Sequence, residues 1–274
     1  MLFKRCYSLL ILFLGVIVLT GCQLTNTSQT ETSNQEEKEL SIYIMRHGET
    51  MLNTTDRVQG WSDAVLTPEG EEVVTSAGIG LKDIDFQSVY SSDSLRATQT
   101  AELVLDENSS SEDVQVQSDK RFREFNFGSY EGDLNHNMWQ DISDEMEISL
   151  DDYLDVITPE VLSNHVYELD KERKKDSDLN TWPAENFEQI QNRLTAGLEE
   201  VVEKEQEKGG SGNILITTHG LSIEALMTTL FGEEYGKPDE GFKNASVSII
   251  KHENGEFTLE EVGTLDFIEK GEAG

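Results

Sequence analysis

The chain has 274 residues, and its 54 acidic residues outnumber 21 basic ones, which gives a formal net charge of −33. This length can bury one substantial hydrophobic core, while the charge opposes binding to bare nucleic acid or to an anionic membrane surface. Any small anionic ligand must therefore be held by a local group of basic residues that acts against the field of the whole chain.

The N-terminal segment has the pattern of a processing signal. Basic residues at positions 4 and 5 precede an apolar run over residues 9–19, which is typical of a signal peptide and short for a membrane span. Residues 19–22, Leu-Thr-Gly-Cys, resemble the bacterial lipoprotein signal, in which the Cys becomes the lipidated first residue. We therefore expect a signal peptide over residues 1–21 and a lipid anchor at Cys22 on the outer face of the cell membrane. A plain secretory signal and an uncleaved anchor are the alternatives.

Residues 22–39 are predicted to form a disordered tether. They are rich in Ser, Thr, Asn, Gln and Glu, and they carry almost nothing that a core could bury. The predicted globular domain covers residues 40–274. It contains no Cys, since Cys6 leaves with the signal peptide and Cys22 would carry the lipid, so we expect no disulfide.

The first predicted strand ends in side chains that can do chemistry. Residues 41–45 are mostly apolar or β-branched, and the chain then changes abruptly to Arg46-His47-Gly48 and a loop over residues 51–63. Open α/β folds bind their ligands at the carboxyl ends of such strands. His47 can therefore be a nucleophile, with Arg46 beside it to hold an anion.

The next predicted elements are a helix, a strand and a second helix. The first helix has Thr67 as N-cap and Pro68 at its first position. A short strand over residues 86–91 then leads to a helix capped by Ser92 or Asp93. That start places Arg96 in the first helical turn, where free backbone N–H groups also favour an anion.

The middle of the chain predicts a strand, an insertion and a long helix. Residues 114–127 place apolar side chains among charged ones, which indicates a strand. Residues 133–183 have helical spacing of apolar side chains and predict a cap of two or three short amphipathic helices. A long helix is predicted to start within residues 182–186 and to end near Lys208.

The C-terminal part predicts one more buried strand and a hairpin. Residues 213–218 are a second fully buried run, and His219-Gly220 stands at its end before a helix over residues 221–231. Residues 245–252 and 257–262 are predicted to pair as a hairpin. Strands that alternate with helices, followed by an antiparallel pair, predict a three-layer α/β domain.

Three predicted junctions between a strand and a helix present basic side chains at one edge of one sheet. They carry Arg46 with His47, then Arg96, then His219. Two guanidinium groups, two imidazoles and a helix N-terminus suit a dianionic phosphoryl group. The predicted partner is therefore a small phosphorylated substrate.

Five motifs surround these residues: Arg46-His47-Gly48-Glu49-Thr50-x-x-Asn53, Arg57-x-Gln59-Gly60-Trp61-x-Asp63-x-x-Leu66-Thr67, Ser91-Ser92-Asp93-x-Leu95-Arg96-Ala97-x-x-Thr100-Ala101, Glu124-x-x-x-Gly128-x-x-Glu131-Gly132 and Thr218-His219-Gly220. In this order and spacing they resemble the histidine phosphatase superfamily, in its phosphoglycerate-mutase-like branch. The resemblance implies a mixed, mainly parallel sheet with helices on both faces and a helical cap over the site.

The same resemblance implies a role for each matched residue. His47 would attack phosphorus and become a phosphohistidine, and Glu124 would serve as general acid and then general base. Further residues are implied in binding the phosphoryl group and the substrate: Arg46, Asn53, Gln59, Gly60, Arg96, His219 and Gly220.

Two other acids could compete with Glu124, and no metal is expected. Glu131 is better placed in the turn after the predicted strand, and Glu49 in hydrogen bonds that steady the Arg46-His47-Gly48 loop. The five His, at positions 47, 136, 165, 219 and 252, show no close ligand spacing with carboxylates, and the predicted clamp is already cationic. We therefore expect neither a metal nor another cofactor.

Phosphomonoester hydrolysis is the reaction that the sequence favours. Val58-Gln59-Gly60-Trp61 resembles the broad-specificity phosphatases of the branch more than its mutases, which favour a small residue before that Gly. A mutase would need extra basic residues after Glu124 to retain a doubly phosphorylated intermediate, yet residues 124–170 contain no Lys or Arg. A surface lipoprotein that binds a ligand without catalysis is a further alternative. A purely binding protein would have no need for a nucleophile paired with an acid, which argues against it.

Two features lie outside the motifs. Ala184-Glu185-Asn186 stands where many members of the family have Gly-Glu-Ser, which leaves open what this loop gives to the substrate. Several aromatic side chains are candidates for a leaving-group pocket that favours aromatic or apolar esters, with plain core packing as the slightly stronger alternative. They are Phe125, Phe127, Tyr130, Trp139 and Tyr153.

Overall fold

A computed structural model describes residues 39–111, 113–175, 178 and 182–274 of the chain. Its strands are β1 (Glu39–Arg46), β2 (Phe86–Ser91), β3 (Val116–Ser118), β4 (Gly212–Thr218), β5 (Val247–Glu253) and β6 (Glu256–Thr264). These described strands form one six-stranded sheet in the order β3-β2-β4-β1-β5-β6. The first four are parallel, and β5 and β6 add an antiparallel pair, so the sheet is mixed and mainly parallel as predicted.

The helices lie between and after these strands. They are α1 (Met51–Thr54), α2 (Pro68–Leu81), α3 (Leu95–Asp106), α4 (Asn135–Glu145), α5 (Leu150–Val156), α6 (Pro159–Lys175), α7 (Phe187–Lys208), α8 (Gly220–Phe231) and α9 (Asp266–Glu272). Short 3-10 turns occur at Ser109–Ser111, Lys120–Phe122 and Gly128–Tyr130.

The central strand β1 contacts helices on both sides of the sheet. Its Leu40, Ile42 and Ile44 belong to a buried cluster with side chains of α7, α8 and α4–α6. Met45 belongs to a second cluster, with side chains of α2 and α3 and, at its margin, α9. Because successive side chains of a strand point to opposite faces, one strand supplies both cores. The predicted three-layer α/β fold is therefore confirmed.

The strand order brings the predicted site residues to one edge of the sheet. Strands β2, β4 and β1 are neighbours and run parallel, with Arg46 opposite Thr218 and Ser91 opposite Thr217. Their carboxyl ends therefore lie side by side. His47 follows β1 and His219 follows β4, while Arg96 is the second residue of α3, shortly after β2.

The segment predicted as a cap carries three helices, α4, α5 and α6. The helical spacing of Leu150, Tyr153 and Leu154 falls in α5, and that of Leu162, Val166 and Leu169 falls in α6. Apolar residues of all three helices are buried in the cluster on the α7 and α8 side: Met138, Ile142, Tyr153, Leu162 and Val166. The cap is therefore packed onto the main core.

The strand predicted over residues 114–127 is wrong for most of its length. Only Val116–Ser118 pairs with β2. The side chain of Asp119 then accepts a hydrogen bond from the backbone N–H of Arg121 at 2.9 Å and begins a 3-10 turn. Apolar side chains such as Phe122 and Phe125 are buried, but they lie on irregular backbone.

Three smaller predictions also differ from the structure. The N-cap of α3 is Ser94, not Ser92 or Asp93. The predicted loop over residues 51–63 begins with the short helix α1, and α9 was not predicted. Helix α9 packs closely against α2, since a Cβ on Gly80 would lie 1.9 Å from the carbonyl oxygen of Phe267.

Two helix starts follow from capping side chains. Thr67 accepts from the backbone N–H of Gly70 at 2.9 Å, with Pro68 at the first helical position as predicted. The Asn186 side chain accepts from the backbone N–H of Gln189 at 3.0 Å, and the Gln189 side chain in turn accepts from the backbone N–H of Asn186. This capping box starts α7 at Phe187, at the end of the predicted start region.

The predicted signal peptide, the lipidated Cys22 and the tether lie outside the described residues, apart from Glu39. That residue is the first of β1 and belongs to the sheet. Within the described ranges, no helix is long and apolar enough to cross a membrane.

Candidate active site

His47 lies directly after β1 and is held in one tautomer. Its Nδ1 is 2.7 Å from the carbonyl oxygen of Gly48. A carbonyl only accepts, so Nδ1 carries the proton and Nε2 keeps its lone pair. Burial, followed by the charges of Arg96 and Arg46, holds the pKa of His47 well below its usual value. The ring is therefore neutral and able to act as a nucleophile at physiological pH.

His219 has the opposite tautomer. Nε of Arg96 donates to its Nδ1 at 3.1 Å, which leaves the His219 proton on Nε2. Burial, and then the charge of Arg96, lowers the pKa of His219 well below its usual value. The rings of His47 and His219 lie 5.2 Å apart between centroids. One imidazole thus offers a lone pair and its neighbour offers an N–H.

Arg96 is fully buried and spreads its donors over several partners. Besides His219, it donates to the carbonyl oxygen of Gly60 at 2.8 Å and to the carbonyl oxygen of Ser62 at 3.1 Å. It also pairs with the carboxylate of Asp63 at 3.0 Å. The planar guanidinium therefore fixes the loop after Gln59 against His219.

Two buried side-chain donors have no hydrogen-bond partner among the described residues: Nε of Arg46, the residue before His47, and Nε2 of Gln59. The Nη1 of Arg46 donates to the carbonyl of Phe242, and Oε1 of Gln59 accepts from Oγ1 of Thr50 at 2.7 Å. Both side chains line one cavity of about 540 Å³. Unpaired buried N–H groups are costly, so an anion that accepts from them would be favoured there.

Asn53 and Gly220 line the same cavity. Oδ1 of Asn53 accepts from the backbone N–H of Thr50 at 3.1 Å, so part of its amide already caps α1. Gly220 is the first residue of α8, and a Cβ there would lie 3.3 Å from Nε of Arg46. A side chain at this position would crowd the guanidinium.

The Glu124 carboxyl group is buried at the N-terminus of α8. Its Oε1 accepts from the backbone N–H and the hydroxyl of Ser222, each at 2.9 Å, and its Oε2 accepts from the N–H of Leu221 at 3.1 Å. Burial raises the pKa of Glu124, although the Ser222 hydrogen bond and the charge of Arg96 oppose this shift. A carboxyl group with a raised pKa is suited to exchange a proton with a reacting oxygen.

The two rival acids have structural roles. Glu131 accepts from three successive backbone N–H groups, those of Gly60, Trp61 and Ser62, at 2.8–3.2 Å. The carboxylate of Glu49 accepts from the hydroxyl of Thr67 at 3.4 Å, and its backbone oxygen accepts from the N–H of Thr67 at 2.8 Å, which fixes the loop after His47. Both observations agree with the positions predicted for these acids.

The model of the histidine phosphatase superfamily (branch 1) matches residues 42–160 and 144–264 of the chain. The chain belongs to this superfamily. A crystal structure of phosphoglycerate mutase from Bacillus anthracis str. Sterne has the same fold, with 35% sequence identity and a TM-score of 0.76, over 86% of this chain and 98% of that one.

Two curated members of the superfamily match a shorter part of the chain. A probable phosphoglycerate mutase GpmB from Erwinia tasmaniensis is 39% identical over 92 residues, which are 34% of this chain and 41% of that protein. The fructose-2,6-bisphosphatase TIGAR from Bos taurus is 39% identical over 93 residues, which are 34% of each chain. The chain thus spans less than half the length of these two relatives.

Two cavities of the chain meet at Glu124, which lines both. The first, of about 440 Å³, also includes His219, Trp61 and the exposed Trp182. The second is the cavity of Arg46 and Gln59, closed on one side by cap residues such as Trp139.

The aromatic residues that were candidates for a leaving-group pocket divide into two groups. Phe127 and Trp139 line the second cavity. Phe125, Tyr130 and Tyr153 are almost fully buried in the main core, so core packing, the stronger of the two alternatives, is confirmed for these three.

Sequence reasoning assigned no role to several residues near the site. Trp61 donates its indole N–H to the carbonyl oxygen of Glu124 at 3.0 Å, and its ring lies 5.1 Å from that of Trp182. Glu185, in the loop that departs from the family's motif, pairs with Arg193 at 2.7 Å. The departure of that loop from the family's motif drew attention to Glu185, but nothing in the loop sequence indicated Arg193 as its partner.

No three His, Cys, Asp or Glu side chains converge as a metal site within the part of the chain that the structure describes. The expectation that the reaction needs no metal stays a prediction.

Proposed function

We propose that this histidine phosphatase hydrolyses phosphomonoesters through a phosphohistidine on His47. The observation that carries the proposal is the hydrogen bond from Nδ1 of His47 to the carbonyl oxygen of Gly48, which directs the free lone pair to Nε2. The raised pKa of the Glu124 carboxyl group supplies the second requirement, an acid that can hold a proton for the leaving oxygen.

In the first step, Nε2 of His47 attacks phosphorus and forms a P–N bond while the P–O bond to the alcohol breaks. Glu124 gives its proton to the departing oxygen, so the products are a phosphohistidine, a neutral alcohol and a carboxylate. General acid catalysis of this kind contributes about 10²- to 10⁴-fold in rate. The step needs Glu124 protonated and His47 neutral.

During transfer, negative charge on the phosphoryl oxygens must be stabilised. Arg46 offers an unpaired buried Nε–H, and His219 offers the Nε2–H fixed by Arg96. Preorganised donors in a buried site stabilise such charge more than water does, since they need no reorganisation.

In the second step, a water attacks phosphorus, the P–N bond breaks and Glu124 takes the proton of the water. Inorganic phosphate leaves, and His47 and Glu124 return to their starting states. Each cycle consumes one ester and one water and yields one alcohol and one phosphate.

A phosphoglycerate mutase is the second candidate, because the structurally similar protein of Bacillus anthracis and the relative from Erwinia tasmaniensis carry that name. The absence of Lys and Arg over residues 124–170 disfavours it, since a mutase must retain a doubly phosphorylated intermediate. An assay in the presence of the diphosphorylated cofactor tests this candidate. Phosphoryl transfer to glycerate phosphate that is faster than hydrolysis would support the mutase.

The test of hydrolysis uses the full-length protein, a chromogenic phosphate ester and the His47→Ala variant. We expect turnover by the wild type alone, and a brief exposure to labelled ester should leave acid-labile, base-stable phosphate on the protein. Turnover by neither form would leave a binding protein on this fold as the better account. Equal turnover by both forms would exclude His47 as the nucleophile.

We also propose that Cys22 carries a lipid that holds the domain at the outer face of the cell membrane. Support comes from the sequence alone, from residues 19–22 directly after the apolar run. Labelled fatty acid should be incorporated into the wild type and into Cys6→Ala, but not into Cys22→Ala. Incorporation into all three proteins would contradict the assignment.

A further inference from the structure

The backbone that carries Glu124 is not part of any strand. β3 ends at Ser118, and residues 123–127 lie between two 3-10 turns without ladder partners. Since a general acid must lie within hydrogen-bond reach of its oxygen, something else has to fix this segment.

One guanidinium group contacts three carbonyl oxygens in and beside this segment. Nη1 of Arg193 donates to the carbonyl oxygens of Arg121 at 2.8 Å and Arg123 at 2.6 Å, and Nη2 donates to the carbonyl oxygen of Glu124 at 2.9 Å. Arg193 belongs to the long helix α7, which is anchored in the main core. Three backbone carbonyl groups at and before Glu124 are thus bonded to helix α7.

The remaining donors of Arg193 are used by Glu185. Nε and Nη2 of Arg193 donate to the two carboxylate oxygens of Glu185 at 2.7 Å and 3.0 Å. With these two bonds, all five N–H groups of the guanidinium have a partner. Both side chains are only 14% exposed, so the pair is largely withdrawn from water.

Glu185 also contacts the acid-bearing segment directly. Its Oε2 accepts from the backbone N–H of Asn126 at 3.0 Å, and its own N–H donates to the carbonyl oxygen of Asn126 at 3.0 Å. The segment is therefore held on both sides of Glu124, at residues 121–124 by Arg193 and at residue 126 by Glu185.

We propose that Arg193 and Glu185 are positioning residues for Glu124: they hold its backbone so that the carboxyl group meets the leaving oxygen. This inference rests on the proposed function, and it assigns the Ala184-Glu185-Asn186 loop to the acid and not to the substrate. Arg193→Lys cannot keep all five hydrogen bonds of the guanidinium group, because an ammonium group has three donors and no fixed plane.

A series of substituted phenyl phosphates tests this role, because their phenols differ in acidity while the phosphoryl group stays the same. An acidic phenol leaves without a proton, whereas a weakly acidic one needs Glu124. Glu185→Gln and Arg193→Lys in the full-length protein should therefore lower kcat/KM about 10- to 100-fold for the least acidic phenol. For the most acidic phenol we expect less than about a 3-fold loss, since general acid catalysis contributes little there.

The controls separate positioning from folding. Glu124→Gln should show the same selective loss, and Glu199→Gln, at an exposed position on the same helix as Arg193, should show none. Circular dichroism checks that each variant is folded. If Arg193→Lys fails to fold, the nearly isosteric Glu185→Gln decides the question alone.

A loss that is uniform across the series, or no loss, would overturn the positioning role. If the wild type forms phosphohistidine and turns over the series, such a result refutes only this inference. A wild type that hydrolyses none of the esters and forms no phosphohistidine refutes the proposed function, and the inference falls with it.

Discussion

Arg96 donates its Nε–H to Nδ1 of His219 over 3.1 Å, and this single contact decides which nitrogen of His219 carries the proton. The same guanidinium donates to the carbonyl oxygens of Gly60 and Ser62. The direction of the His219 donor and the shape of the neighbouring loop therefore depend on one buried side chain.

Arg96→Lys should lower kcat/KM about 10²- to 10³-fold, the usual cost of losing a preorganised donor. An ammonium group cannot reach His219, Asp63 and two carbonyl oxygens in the same plane. Steady-state kinetics with a chromogenic ester measure the loss. Arg173→Lys, at ion pairs with Asp133 and Asp141 in the cap, serves as the control and should stay near wild-type activity. Equal activity of the two variants would contradict a catalytic role for the guanidinium group of Arg96.

The pH dependence of kcat/KM should be set by two groups with opposite shifts. His47 reacts when neutral, and its lowered pKa keeps it neutral at pH values well below 6.5. Glu124 must be protonated to donate, and burial raises its pKa, so activity should fall as the pH rises through that value. A pH profile of Glu124→Gln should lack this alkaline limb. If Glu124→Gln keeps the fall in kcat/KM at alkaline pH, a group other than Glu124 causes that fall.

Gly60→Ala should damage both stability and activity. A Cβ at this position would lie 2.1 Å from the carbonyl oxygen of Phe125 and 2.4 Å from Oε1 of Glu131, so the backbone must shift. We expect the free energy of unfolding to fall by about 1–3 kcal/mol, as in overpacked cores. Chemical denaturation measures the change.

Gly78→Ala is the matched control, because its Cβ would lie 3.1 Å from Cα of Val104, a much longer contact than at Gly60, and Ala favours a helix. Its unfolding free energy should change by less than about 1 kcal/mol. A similar loss in both variants would show that the close contact at Gly60 has no special cost.

Trp139→Ala should reduce the hydrolysis of aryl phosphates more than that of glycerol phosphate. Trp139 lines the cavity that Arg46 and Gln59 share, where an aromatic leaving group could pack on its ring. An aromatic contact is worth about 0.5–1.5 kcal/mol, which is about 2- to 10-fold in kcat/KM. Tyr167→Ala on the same cap, where the ring contacts Lys171, should change neither. Equal losses with both esters would remove Trp139 from the leaving-group site.

The chemistry of the site could be predicted from the sequence because its residues follow buried strands. His47 and His219 each come directly after an apolar run, and parallel neighbours end at a shared edge. The 5.2 Å between their rings follows from that topology. Local sequence and global fold agree at these positions.

The environment of Glu124 could not be predicted in the same way. The apolar pattern around it indicated a strand, but the segment is fixed by side chains distant in sequence, such as Arg193. Helix α9 escaped prediction for a similar reason, since its contact with α2 depends on Gly80 and Gly271. Periodicity reports which side chains are buried, and it does not report which distant group holds the backbone.

Glu124 lines both cavities, so both lead to the same carboxyl group. In the proposed mechanism, the departing alcohol and the attacking water occupy the same position in line with Nε2 of His47. An alcohol that lingers in either cavity would therefore keep the water out and delay the hydrolysis of the phosphohistidine.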